Sequence, residues 1–262
     1  MQKQLKITFD KNIYEFVIDP EKESPITSQQ RAVFRTIHKL IDDKKILPFI
    51  SETILTYESV SRKDRFNILT HDKPIIISSN GSRVSVASNP KIHPGNHSKD
   101  DFYLAKAINM GFKILPGKRF GKLINPAVKT EWYYFIDEEY LLTSERFSDV
   151  VKEIELLGAG YNRYLTLITT NENQHLTTHE RLKSYKGSQK KLSAAIAEWS
   201  DGDSVALHIV YGLDYFCTND EGRSSGQNSA LGKNVCKSLN LKFGFRKLNP
   251  EELVVKCDEK FP

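Results

Sequence analysis

Two aspartates stand where strands of an α/β sheet should end. Asp10 closes the apolar run Leu5–Phe9, and Asp220 lies just beyond a strand expected at Asp214–Thr218. In open parallel sheets ligands collect outside the carboxyl ends of the strands, so the two carboxylates are expected in one crevice. Glu52 and Asp203 add two more acids, each at the start of an expected helix. Taken singly, each has a plain structural role, because acids favour turns and the positive end of a helix dipole. Brought together they would repel, and burial would raise that cost. A divalent cation removes the conflict. An all-oxygen donor set suits Mg2+ or Mn2+, and the lack of a His/Cys set beside it disfavours zinc.

Basic residues cluster apart from those acids. Residues 181–191 carry five Lys or Arg and no acid, with Tyr185 among them; Lys186, Lys190 and Lys191 are the expected RNA contacts. Residues 112–129 carry five more, interleaved with Phe112 and Phe120, and residues 222–249 carry six. Cations neutralise phosphates, and aromatic rings stack on unpaired bases. Any one stretch reads as a solvated face, whereas three acid-free stretches around an acidic pocket fit a polyanionic partner. The overall charge, 38 basic against 33 acidic residues, is +5, too mild to name a partner by itself.

A scaffold must position these groups. Thr27 with Gln30 forms a capping-box pattern, and Val33, Ile37, Leu40 and Ile41 follow at helical spacing as far as Asp42. Ile46–Ile50 reads as a short apolar segment, and Ser51 caps a second helix through about Val60. Pro74–Ser79 and Arg83–Ala87 flank Asn80-Gly81, a two-residue hairpin signal. Helices are expected over Asp100–Met110 and Ser144–Leu157, a strand at Phe112–Leu115 and a polar loop at Thr169–Thr178. Further on, the pattern predicts helices at Gln189–Trp199, Asp203–Tyr211 and Gln227–Ser238. A last strand is expected at Leu241–Phe245, and Asn249-Pro250 starts a turn or short helix. Strands alternating with helices at both ends imply an α/β fold around a mainly parallel central sheet. Residues 61–160 read as an inserted segment containing the β-hairpin.

Other chemistries find less support. The 262 residues are 39% hydrophobic, enough for a real core in one large domain, and no apolar run reaches a membrane span. The first residues lack the apolar stretch of a signal peptide, so a cytoplasmic protein is expected. Three scattered cysteines, with no C-x-x-C pair, suggest reduced thiols. His93-Pro-Gly-Asn-His97 has ligand-like spacing on a Pro/Gly loop, a poor frame for rigid zinc. The segment from Gly117 to Leu123 is one residue short of a phosphate loop and lacks its terminal Ser/Thr. Asn12 stands where an aspartyl-phosphate mechanism would want a second aspartate.

The stretch Asp203–Asp220 has an acid opening a helix, a Gly before an apolar strand and then Thr-x-Asp, and resembles the C-terminal signature of PIN-domain nucleases. Phe9–Glu15 is similar to that family's first strand and Asp-x-Asn turn. Ser51-Glu52, followed by a helix with Glu58, is similar to its second acidic motif, and Lys247–Leu253 to its last strand and Pro-Glu-Glu turn. These stretches cover roughly residues 4–60 and 189–254; order and spacing carry the likeness rather than any single motif.

The resemblance implies one PIN-like, three-layer domain over residues 1–262, with an insertion at about 61–160. It implies a toxin-like, metal-dependent endoribonuclease in which Asp10, Glu52, Asp203 and Asp220 bind one or two Mg2+ or Mn2+ ions. Asn12 and Thr218 would orient those carboxylates, and a metal-activated water would attack an RNA phosphodiester in line. It further implies an antitoxin protein as partner and pairing as a homodimer, with no membrane association. Lys11 departs from the pattern, occupying a position that is usually small. Asp201 and Asp214 compete for assignment, although Asp214 should lie at the opposite end of the sheet and Asp201 should cap a helix. Glu15 and Glu58 are expected on the solvated surface. Two rival readings are a PIN-like module that binds RNA or protein without cutting, and a small-molecule phosphohydrolase.

Overall fold

The computed structural model describes residues 4–57, 69, 75–79, 84–88, 98–119, 140–222 and 228–261. The first half of the chain forms β1 (Leu5–Phe9), α1 (Lys11–Ile18), α2 (Ser28–Asp42), β2 (Ile46–Ser51), α3 (Glu52–Tyr57), β3 (Ile75–Ser79), β4 (Val84–Ser88), α4 (Ser98–Asn109) and β5 (Lys113–Leu115). The second half forms α5 (Tyr140–Leu156), α6 (Tyr161–Ile168), α7 (Thr178–Ser184), α8 (Gln189–Val210), β6 (Tyr215–Cys217), α9 (Lys233–Phe243), β7 (Lys247–Leu248) and α10 (Pro250–Lys260).

Five strands make one sheet in the order β5-β2-β1-β6-β7, every neighbouring pair parallel. Alternation along the strands decides what each face buries. Leu5, Ile7, Phe9 and Cys217 point into a core with α1, α2, α4 and α10. Phe49, Leu115 and Phe216 point the other way, into a core with α5, α8 and α9. The sheet is thus covered on both faces, as a parallel sheet requires, and the layers are helix, sheet and helix. A third cluster joins the outer half of α8 to α6 and α7 through Leu192, Ala195, Ile196 and Trp199.

The Thr27 capping box forms as its spacing predicts, with reciprocal bonds between Thr27 and Gln30. The hairpin strands pair antiparallel with Ser79 opposite Val84; the Asn80-Gly81 turn itself lies outside the described residues, as do the His93–His97 loop, Glu58 and Phe120.

Several expectations need correction. Residues 61–160 are not wholly an insertion: β5 pairs with β2 in the main sheet, and Tyr103, Leu104, Ala107 and Ile108 of α4 belong to the core under β1. The two helices expected at Gln189–Trp199 and Asp203–Tyr211 are one helix of 22 residues. Gly202, which reads as a break, serves close packing instead: a Cβ there would come within 3.0 Å of the Gly160 Cα. The expected strand Leu241–Phe245 overlaps α9, whose helical period runs on to Phe243 and stops at the left-handed Gly244. The last strand is the two-residue β7 beyond it. Helices α1, α6 and α7 escape the sequence pattern because they are only 7 or 8 residues long. Among the described residues no helix is long and apolar enough to cross a membrane.

Candidate functional site at the carboxyl edge of the sheet

Asp10 occupies the turn between β1 and α1. Its backbone is extended, and its carboxylate Oδ1 accepts the Lys11 N–H at 2.7 Å, capping α1. The Asp10 N–H in turn donates to the Cys217 carbonyl at 3.0 Å, which ties this turn to the end of β6. There the Thr218 hydroxyl donates to Asp10 Oδ2 at 2.6 Å and accepts the Asp220 N–H at 2.9 Å. Asn12 Nδ2 donates to Asp10 Oδ2 at 2.9 Å and contacts Thr218 Oγ1 at 3.0 Å, while Asn12 Oδ1 accepts the Asn219 N–H at 3.3 Å. Asp220 Oδ1 accepts the Gly222 N–H at 2.6 Å. Two turns more than 200 residues apart are therefore interlocked by side chains.

The electrostatics follow from this geometry. Burial pushes the Asp10 carboxyl above its ordinary range, and the nearby charge of Asp220 pushes the same way. The Thr218 hydroxyl, the Lys11 amide and the Lys247 charge oppose them. Lys247 holds this edge from the β7 side, its Nζ donating to the carbonyls of Asp220 at 3.0 Å and Leu231 at 2.7 Å. The sequence pattern missed this lysine because nothing local marks it apart from other surface lysines.

Glu52 sits at the end of β2, beside β1, and is buried. Its Oε2 accepts the Gly117 N–H at 2.7 Å, bracing the turn after β5. The acid thus stands on the strand next to Asp10, with one oxygen committed to backbone.

Asp203 does not open a helix; it lies inside α8. Thr8 Oγ1 and His208 Nδ1, 2.8 Å apart, fix where α8 crosses β1. Asp10 lies two residues beyond Thr8, about 6.6 Å along the strand. Asp203 lies five residues before His208, about 7.5 Å along the helix. The heights match, but five residues also turn the side chain about 140° around the helix. Asp203 consequently meets a different neighbourhood. Its Oδ1 is 3.5 Å from Arg119 Nε, and the same guanidinium bonds Glu155 at 2.6 Å while lying over the rings of Tyr161 and Phe147. The Asp203 carboxyl is buried, and the Trp199 side chain one helical turn earlier hydrogen-bonds to it. Burial raises the Asp203 carboxyl to about 7, with Arg119 opposing the rise and Glu155 adding to it.

The remaining candidates separate cleanly. Asp214 accepts the Lys6 N–H at 2.8 Å, at the opposite end of the sheet. Glu15 is not solvated surface; it is buried and paired with Lys22. Lys186, Lys190 and Lys191 are exposed around the start of α8, and Lys191 is about 18 Å along the helix from Asp203. Glu198, which no motif singles out, is a buried structural clasp. It accepts from Ala230 N at 2.6 Å, Ser229 Oγ at 2.9 Å and Gly160 N at 3.3 Å.

The expected four-carboxylate cage is not assembled. Among the described residues no three His, Cys, Asp or Glu side chains stand close enough to hold one ion together. The donor chemistry still fits a hard cation at Asp10 and Asp220, which is all oxygen and electrostatically crowded. Mg2+ commonly binds through one or two carboxylates, with water and substrate phosphate completing its shell. Comparison with protein-family models, curated proteins and solved structures finds no match to the chain.

Proposed function

We propose that this protein is a PIN-like, Mg2+- or Mn2+-dependent endoribonuclease whose reaction centre is the Asp10–Asp220 pair. The observation that carries the reading is the shared Thr218 hydroxyl: it fixes Asp10 and the Asp220 backbone together at the carboxyl edge of a parallel sheet. Burial and mutual repulsion make that pair a favourable place for positive charge.

Asp10 and Asp220 would hold the ion. Bound there, it would supply charge to the developing phosphorane and lower the pKa of an attacking water. The chain's own residues set the geometry. Asn12 and Thr218 lock the Asp10 carboxylate in one orientation, so little reorganisation remains at the moment of reaction. Glu52 stands on the neighbouring strand end, on the opposite side of β1 from β6 and β7. Asp203, held by Arg119, serves as part of the wall rather than as a ligand.

A second reading rests on that same Arg119. An arginine already neutralising Asp203 is what a module that binds RNA without cutting it would tolerate. Labelled RNA incubated with Mn2+ separates the two. Cleavage by the wild type that disappears in Asp220→Asn supports the nuclease. Equal product from both proteins, or none from either, removes it.

A further inference from the structure

We propose that the groove along the β7 edge of the sheet is a binding track for the sugar–phosphate backbone of single-stranded RNA. The groove has a volume of about 710 Å³ and lies between α9 and α10, with β7 and Tyr215 of β6 at its base. Five cations line it, Lys233, Lys237, Arg246, Lys247 and Lys256, against one carboxylate, Glu221.

The arrangement follows from the sequence. Lys233 and Lys237 are one helical turn apart on α9, so they share a face, while Val235 and Leu239 of the same helix are buried against the sheet. Both lysines are exposed, and among the described residues neither forms an ion pair. Arg246 is exposed as well and stacks its guanidinium 4.9 Å over the Tyr215 ring, which holds the charge in place across the groove floor. Lys256 enters from α10, where Glu259 pairs with it at 2.7 Å, so the unpaired charge of the groove comes from the other side chains. Like charges converging with so little carboxylate between them raise the local potential, which a polyanion relieves by releasing its counterions.

Two features favour a nucleic-acid strand over an acidic peptide. The edge strand β7 has only two residues, so it offers a peptide little backbone to pair with. The groove also leads to the candidate reaction centre. Lys247 lines it and donates to the Asp220 carbonyl, and Glu221 follows Asp220 directly. A backbone lying in the groove would therefore arrive at the Asp10–Asp220 pair, and in this respect the inference rests on the proposed function.

Binding of a fluorescein-labelled single-stranded 12-mer RNA, followed by anisotropy in EDTA, tests the track without requiring cleavage. Lys233→Glu/Lys237→Glu is expected to weaken binding at least about tenfold. It should also flatten the dependence of log K on log salt by about 1.4, at about 0.7 for each lost phosphate contact on a single strand. Lys233→Gln/Lys237→Gln should give a smaller loss in the same direction, with an unchanged melting temperature showing that both variants fold. Wild-type affinity and slope in the groove variants would overturn the proposal. So would a tenfold loss found only in Lys190→Glu/Lys191→Glu, or a poly-glutamate peptide that binds the groove more tightly than the RNA. Intact groove binding without any cleavage in Mn2+ would remove the nuclease reading alone.

Discussion

The Thr218 hydroxyl reaches across the β1–β6 pairing to donate to Asp10 Oδ2 at 2.6 Å, although 208 residues of chain separate the two. The same oxygen accepts the Asp220 N–H, so one hydroxyl sets both halves of the candidate site. Thr218→Val keeps the shape and removes both bonds. It should cost about 1–3 kcal/mol in a urea titration, because buried polar groups lose their partners. It should also raise the Asp10 carboxyl further, since the hydroxyl now holds it down. A side-chain carboxyl titration by NMR that shows Asp10 unmoved would refute the linkage.

Two buried groups make opposite pH slopes. Asp203 titrates near 7 when folded against 3.8 ordinarily, so the folded state holds the extra proton between those values and stability falls as pH rises. His208 is driven down to about 3 from 6.5, chiefly by burial, so there the unfolded state holds the extra proton and stability rises with pH. Each slope is about 1.4 kcal/mol per pH unit at full strength. Between pH 4 and 6.5 they largely cancel, with Asp10 adding to the falling side. Asp203→Asn should therefore make stability climb across that window, and His208→Gln should make it fall more steeply. Parallel pH profiles for the two variants would contradict both assignments.

A metal response should single out the pair. An ion that binds only the folded state raises its stability with concentration, by about 2.7 kcal/mol at a hundred times Kd. Millimolar Mn2+ should thus raise the melting temperature of the wild type by several degrees. Asp10→Asn should abolish that rise, whereas Asp203→Asn should keep it, because Asp203 is engaged with Arg119. A response lost equally in both would restore the four-acid cage.

Gly202→Ala offers a packing test. Helix propensity alone favours alanine by up to about 1 kcal/mol. The added methyl would sit 3.0 Å from the Gly160 Cα, backbone that cannot swing aside. Net destabilisation of about 1–3 kcal/mol is expected, as for overpacked cores. A stabilised variant in thermal unfolding would mean that α8 and the Gly160 corner are not in contact.

Legibility of the sequence depended on how local each signal was. Asp10, Thr218 and Asp220 could be placed because strand ends and turn residues announce themselves within a few positions. The parallel sheet followed from alternating elements. Asp203 was misplaced because glycine reads the same whether it ends a helix or lets another backbone come close, and only Gly160 distinguishes the two. Arg119 could be seen as part of a basic stretch, but its choice of Asp203 and Glu155 depends on a tertiary approach with no trace in spacing. The apolar run Leu241–Phe245 draws the expected last strand into α9, and the two-residue β7 is legible only through the likeness at Lys247–Leu253.

The central strand β1 has one neighbour nearby in the chain and the other, β6, at residues 215–217. At a synthesis rate of 5–20 residues per second, a nascent chain waits roughly 10 to 40 seconds for that second neighbour to be made. Throughout that interval Asp10 lacks Thr218 and Asp220, so the candidate site is not yet assembled. A ribonuclease assembled this way would leave the ribosome translating it unharmed until nearly the whole polypeptide had emerged.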